Sequence, residues 1–176
     1  MTTQKLVIAG FGGQGVMLIG QMIAYAGMLE GKEVTWMPAY GPEMRGGTAN
    51  CTVIISDKKI SSPIVTEATA VVAMNLPSLI KFEHIVKPGG QLFINTSLIK
   101  ENSSRNDVKI NQVDSIEIAQ DLHNVKVSNM VILGAIIHET GIVRIDSIEK
   151  VMEKLFTGKK AALLPLNKKA LTAWKA

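Results

Sequence analysis

A chain of 176 residues with 47% hydrophobic content and a net charge of +4 reads as one domain, residues 1–176, able to bury a sizeable core. Aromatic residues are only 5% and no basic stripe is interleaved with them, which argues against nucleic-acid binding. The single cysteine, Cys51, excludes an internal disulfide and leaves too few thiolates for an iron–sulfur cluster or a Cys-based zinc site of the chain's own.

The first stretch with chemical content is Lys5-Leu-Val-Ile-Ala-Gly-Phe-Gly-Gly-Gln-Gly15. Leu6–Ala9 is the apolar run of a buried parallel strand, and a helical pattern begins at Val16. Between them Gly10, Gly12 and Gly15 stand at G-x-G-x-x-G spacing. In such a turn the first glycine allows tight reversal, the second lets a phosphate approach, and the third lets helix and strand pack closely. Free N–H groups at the helix start, with the dipole behind them, would face an anion. Gly13 adds freedom, and Gln14 offers a neutral donor and acceptor. A dinucleotide site also wants an acid closing the second strand about 20 residues on. That strand, Glu33-Val-Thr-Trp-Met-Pro-Ala-Tyr40, ends in Met37-Pro38-Ala39, and Glu33 is at its wrong end. NAD binding is therefore disfavoured, which leaves an anion cradle or a packing turn.

The next segment, Ala39 to Asn50, is too rich in Gly and Pro for regular structure. It carries Tyr40, Gly41, Pro42, Glu43, Arg45, Gly46 and Gly47. In a doubly wound sheet it would lie at the carboxyl edge beside the first turn, where ligands bind. Arg45 with Gly46-Gly47 suits an anion cradle, and a solvated Glu43–Arg45 pair is the plain alternative.

Val16–Leu29 is apolar nearly all round and should be buried on more than one side, with Gly31 ending it. Strands are predicted at Val34–Met37, Cys51–Ser56, Ala70–Asn75 and Gln91–Asn95, and an edge strand at Val108–Val113. Cys51 should be a buried, inert thiol. Pro63 implies an edge or irregular structure, and Pro77 opens a helix reaching Ile85 or Val86. Pro88-Gly-Gly90 predicts a turn and Lys100–Asp107 a polar loop. Asp114-Ser-Ile-Glu117 and Asp146-Ser-Ile-Glu149 both look like capping boxes. Ser128–Gly141 is a second very apolar helix, capped by Ser128 or Asn129 and closed by Gly141. His138 near its end suits the dipole if charged, and His84 and His123 show no ligand pattern. The late lysines, Lys159-Lys160, Lys168-Lys169 and Lys175, read as a solvated face. No signal-peptide pattern opens the chain, and the apolar stretch near Val131–Ile137 is too short to span a bilayer. A protein of the cytoplasm is expected, with no membrane or nucleic-acid partner. Strands alternating with helices imply an α/β fold, a three-layer α/β/α Rossmann-like sheet, mostly parallel or mixed, of about five to seven strands. No nucleophile–base pair or carboxylate dyad marks a complete enzyme.

Gly10-Phe-Gly-Gly-Gln-Gly15 and Tyr40-Gly-Pro-Glu-Met-Arg-Gly-Gly47 together resemble the gamma subunit of 2-oxoacid:ferredoxin (acceptor) oxidoreductases. The resemblance covers nearly the whole chain. It implies a non-autonomous subunit of an enzyme that converts a 2-oxoacid and coenzyme A to an acyl-CoA, carbon dioxide and reduced ferredoxin. It also implies thiamine diphosphate and iron–sulfur clusters on partner subunits, alpha and beta with or without delta. For this chain it implies roles in assembly and coenzyme A access. Gly12, Gly13, Gln14 and Gly15 would contact coenzyme A, with Arg45, Gly46 and Gly47 opposite. Tyr40, Gly41, Pro42 and Glu43 would complete that loop or dock a subunit. By the same resemblance the substrate is 2-oxoglutarate or a branched-chain 2-oxoacid, and the isolated chain is expected to be able to pair with itself. A free-standing nucleotide-binding oxidoreductase or regulatory module is the alternative.

Overall fold

Apolar runs flanked by Gly-rich or polar turns fold here as strands of one sheet. The structure, a computed structural model, describes residues 3–40 and 48–175. The strands are β1 (Gln4–Phe11), β2 (Glu33–Tyr40), β3 (Thr48–Ser56), β4 (Ala68–Ala73), β5 (Val86–Asn95) and β6 (Lys109–Val113). The helices are α1 (Val16–Leu29), α2 (Leu76–Phe82), α3 (Ser115–Asp121), α4 (Ser128–Thr140), α5 (Ile145–Leu155) and α6 (Leu164–Thr172). The sheet order is β2-β3-β1-β4-β5-β6. Strands β1, β4, β5 and β6 are parallel, and β3 runs antiparallel to both β1 and β2. The α/β, Rossmann-like expectation holds, with a mixed sheet. The second strand is not next to the first, because β3 is inserted between them.

The two faces are covered unequally. Leu6, Ile8, Val53, Val72 and Phe93 pack with α1 and α4 into the larger core. On the other face Val7, Val71, Leu92 and Ile94 meet Leu79 of α2 and Ile99 of a loop. Helix α1 has the limits its pattern predicts, and Gly31 follows it at φ 71°. Pro38 lies in β2, an edge strand that tolerates its missing N–H. Among the described residues no helix is long and apolar enough to cross a membrane.

Four local expectations need correction. Pro88-Gly-Gly90 does not separate strands; it lies inside β5, where Gly89 takes φ 72° and the pairing with β4 shifts register. Asp114 is the N-cap of α3 but makes no capping bond there. It accepts from Thr96, and Ser97 takes the Ile116 N–H at 2.9 Å while donating to Glu117. Asp146 is not a cap, because α5 starts one residue earlier behind Arg144. Helix α4 starts behind Val127 with no side-chain cap, since Asn129 is turned toward Gly15 instead.

At the amino edge of the parallel strands the end of α4 is tied down. Glu139, with 6% of its side chain exposed, pairs with Lys109 and with Lys175 at 2.7 Å. Its backbone carbonyl accepts from Gln91 Nε2 at 3.0 Å, and that of Thr140 accepts from Gln4 Nε2 at 3.1 Å. Hydrogen bonds from Lys109 and Lys175 hold the Glu139 carboxyl down at about 2, against an ordinary 4.5. Further along α4, Gly134 abuts α6 so closely that a Cβ would lie 2.0 Å from the Leu171 carbonyl oxygen.

Two outcomes follow from these contacts. Gly134→Ala must push α6 off α4 and should cost about 2–3 kcal/mol, read as a lower urea midpoint. Because the folded pKa of Glu139 lies below its ordinary value, its contribution is complete above about pH 5 and disappears as pH falls toward 2. Glu139→Gln should flatten that acid limb and cost about 1–3 kcal/mol at neutral pH, measured by denaturant titration across pH.

Candidate ligand edge at the switch between two strands

Strands β1 and β4 are parallel neighbours whose following helices diverge, α1 to one face and α2 to the other. This divergence opens a crevice at their carboxyl ends, the place where open α/β sheets bind ligands. The Gly-rich turn forms one lip. Gly10 admits no side chain, since a Cβ would lie 2.6 Å from Gln14 Oε1 and 2.8 Å from Met74 Cβ. Gly13 and Gly15 hold left-handed φ of 98° and 80°. Gly12 and Gly13 are exposed, and a Cβ on Gly13 would meet nothing within 4 Å. Helix α1 starts from Gly15 with no side-chain cap and no acidic residue in its first turn. Its positive end is therefore uncompensated by its own side chains.

Gln14 bridges the crevice. Its Oε1 accepts from Phe11 N–H at 2.6 Å and from Asn75 Nδ2 at 3.3 Å, and its Nε2 donates to the Met74 carbonyl at 3.2 Å. Asn75 Oδ1 caps α2 by accepting the Ser78 N–H at 2.9 Å. The Met74 carbonyl also accepts from Asn95 Nδ2 at 3.5 Å, and Asn95 Oδ1 takes the Ser115 hydroxyl at 2.8 Å. Asn75, Asn95 and Ser115 are all buried. Polar groups thus link the ends of β1, β4 and β5 to the start of α3. This ladder was missed in the sequence, although Met74-Asn75 and Ile94-Asn95 both place an Asn directly after an apolar run. Asn129, expected as a possible helix cap, instead fills the space where a Gly15 Cβ would sit, with Nδ2 at 2.5 Å.

Ala49 pairs with Gly10 on one side and Tyr40 on the other, so the ends of β2 and β3 are level with the turn. Both attachment points of the second loop therefore stand at the carboxyl edge, beside Gly12–Gly15. Gly41, Pro42, Glu43, Arg45, Gly46 and Gly47 lie outside the described residues. The β2 end, where a ribose-binding acid would stand, is held away from β1 by the whole of β3.

Other candidates lie elsewhere. Cys51 is buried, and desolvation pushes its thiol up to about 11. That environment suits an inert thiol. His138 is exposed at the amino edge, edge-on to Trp174 at 5.6 Å and 3.4 Å from Glu139. Among the described residues no three His, Cys, Asp or Glu side chains gather as metal ligands.

Residues 5–173 match the family described as pyruvate ferredoxin/flavodoxin oxidoreductase. The chain belongs to this family. It is 36% identical over 171 residues to ketoisovalerate oxidoreductase subunit VorA of Methanothermobacter marburgensis. That match covers 96% of this chain and only 35% of VorA, so the chain spans about a third of that relative's length. The 2-oxoglutarate synthase subunit KorC of the same organism is 32% identical over 157 residues, covering 85% of this chain and 84% of KorC. The solved keto/oxoacid ferredoxin oxidoreductase gamma subunit from Geobacter sulfurreducens superposes with a TM-score of 0.82 at 28% identity, over 98% of this chain and 96% of its own. Membership in this oxidoreductase family bears out the resemblance carried by the two Gly-rich motifs.

The geometry gives Gln14 a positioning part, since both ends of its amide are engaged within the protein. Gln14→Leu would strand the Phe11 N–H and loosen Asn75, for a loss of about 2–3 kcal/mol by thermal or urea unfolding. Gln14→Glu, which keeps the acceptor and loses the donor to Met74, should lose less than the leucine variant.

Proposed function

We propose that this chain serves as the gamma subunit of an enzyme that oxidatively decarboxylates a 2-oxoacid, transfers the acyl group to coenzyme A and delivers the electrons to ferredoxin. The observation that supports this most is the family match across residues 5–173, joined to an open Gly-rich turn at the switch point. Thiamine diphosphate and the iron–sulfur clusters belong to alpha and beta subunits, with or without delta. A cluster needs several thiolates, and this chain has one, closed in the core. Under this reading the enzyme works in the cytoplasm.

The chain's own part is assembly and coenzyme A access. The exposed Gly12-Gly13 backbone and the uncapped start of α1 suit the pyrophosphate of coenzyme A, with Arg45, Gly46 and Gly47 as the opposing wall. Gln14 shapes that lip from beneath. The rest of the loop, Tyr40, Gly41, Pro42 and Glu43, closes the site or docks a neighbouring subunit. The names of VorA and KorC favour ketoisovalerate or 2-oxoglutarate as substrate.

Co-expression with the neighbouring alpha and beta subunits tests the reading. Acceptor reduction by a 2-oxoacid should depend on coenzyme A and fall to background when this chain is omitted. Undiminished reduction without it would return the chain to a free-standing nucleotide-binding module. In the assembled enzyme, Gly13→Leu should raise the KM for coenzyme A about tenfold or more and leave the KM for the 2-oxoacid unchanged. An unaltered coenzyme A KM would remove the turn from the binding site.

A further inference from the structure

Three side-chain amides of the carboxyl edge are engaged within the protein. Gln14 bonds the Phe11 N–H, Asn75 and the Met74 carbonyl, and Asn75 also caps α2. Asn95 bonds the Met74 carbonyl and the Ser115 hydroxyl. Asn129 is of another kind. It is the second residue of α4, a helix with no side-chain cap, so its amide does not serve the start of its own helix. Among the described residues that amide makes no hydrogen bond at all. Asn is a poor helix former, kept near helix starts for the backbone N–H its side chain takes. Here that reason is missing.

The packing of Asn129 is specific all the same. The place of a Gly15 Cβ is 2.5 Å from Asn129 Nδ2 and 3.1 Å from both its Cβ and its Cγ. The side chain therefore rests on the bare Cα of Gly15, the residue from which α1 starts. Behind it Met130 to Ile137 are all buried, so the amide is carried by a rigid element. Gly13, two residues before Gly15, faces open space, since a Cβ there would meet nothing within 4 Å. A half-buried amide with two N–H donors thus stands against the turn that exposes Gly12-Gly13. Its donors are left to water or to a ligand, and an anionic acceptor would be the stronger partner.

We propose that Asn129 is a binding residue of this edge, its Nδ2 N–H donating to the pyrophosphate of coenzyme A on the Gly12-Gly13 backbone. Helix α4 thereby supplies a side-chain donor where the turn supplies only backbone. This rests on the coenzyme A reading given above and adds a residue to it.

The test uses the enzyme assembled from the full chain and its partner subunits, with coenzyme A binding followed by calorimetry. Two substitutions separate contact from packing. Asn129→Asp keeps the size of the side chain and puts a carboxylate where the donor was. Asn129→Ala stays neutral and empties the space over Gly15. The Kd for coenzyme A should rise about thirtyfold with Asn129→Asp and only about fivefold with Asn129→Ala. The KM for the 2-oxoacid should be unchanged in both, and the melting temperature should not fall. The same rises should appear with dephospho-coenzyme A, which keeps the pyrophosphate and lacks the 3′-phosphate. Their disappearance there would overturn the pyrophosphate contact. Weaker binding by the alanine variant than by the aspartate one, or a lower melting temperature in both, would make Asn129 a packing residue and overturn the proposal. Unchanged affinity in both variants, with binding weakened by Gly13→Leu, would overturn it too and leave the coenzyme A reading standing. Unchanged affinity in Gly13→Leu as well would overturn that reading itself.

Discussion

Gln14 holds its own turn through the Phe11 N–H and the next one through the Met74 carbonyl, and much of the ligand edge depends on that clasp. The strands it joins send their helices to opposite faces, so without a bridge their ends would part as a water-filled cleft. With the bridge made, the amide lies under the turn and the Gly12-Gly13 backbone lies above it. The absence of a side chain at Gly10 follows from this, because any Cβ there would displace the Gln14 oxygen. The ladder through Asn75, Asn95 and Ser115 extends the same solution to neighbouring strand ends, where buried polar groups have to be paired.

Inserting β3 between β1 and β2 changes what this edge can recognise. In a standard dinucleotide fold the second strand stands beside the first and its closing acid reaches the ribose. Here that position is a strand further off and holds Ala39-Tyr40, at the end of β2. The turn leaves the Gly12-Gly13 backbone exposed, and the end of β2 offers no acid in the place where a dinucleotide fold has one. A pyrophosphate carried by a different molecule, as in coenzyme A, is consistent with both facts.

The legible parts of the chain were those in which local chemistry and tertiary structure agree. Val16–Leu29 and the runs at Leu6–Ala9, Ala70–Asn75 and Gln91–Asn95 had continuous apolar signal and clear punctuation. Strand order was not legible, because alternation says which residues face a core but not which strand pairs with which. Pro88-Gly-Gly90 has the letters of a turn, and only pairing with β4 makes it a bulge within one strand. The two Asp-Ser-Ile-Glu segments show the same limit. Their letters are identical, yet Ser97 supplies the bond at α3 and Arg144 displaces the cap at α5, since neighbours distant in sequence decide both. At the candidate site the glycines were legible and the amides beneath them were not, because Asn after a strand reads equally well as turn, cap or ladder.

The two edges of the sheet are held by opposite means. At the amino edge Glu139, Lys109, Lys175, Gln91 and Gln4 bind α4, the strands and the chain ends through direct polar contacts. At the carboxyl edge the contacts run beneath the surface and leave backbone bare above them. One edge is thereby fixed by polar contacts, and the other presents the bare Gly12-Gly13 backbone. The unequal covering of the faces has the same sense. The helices of the larger core give α1 a fixed axis, so that its start addresses the ligand edge while its last turns offer Tyr25, Met28 and Leu29 outward.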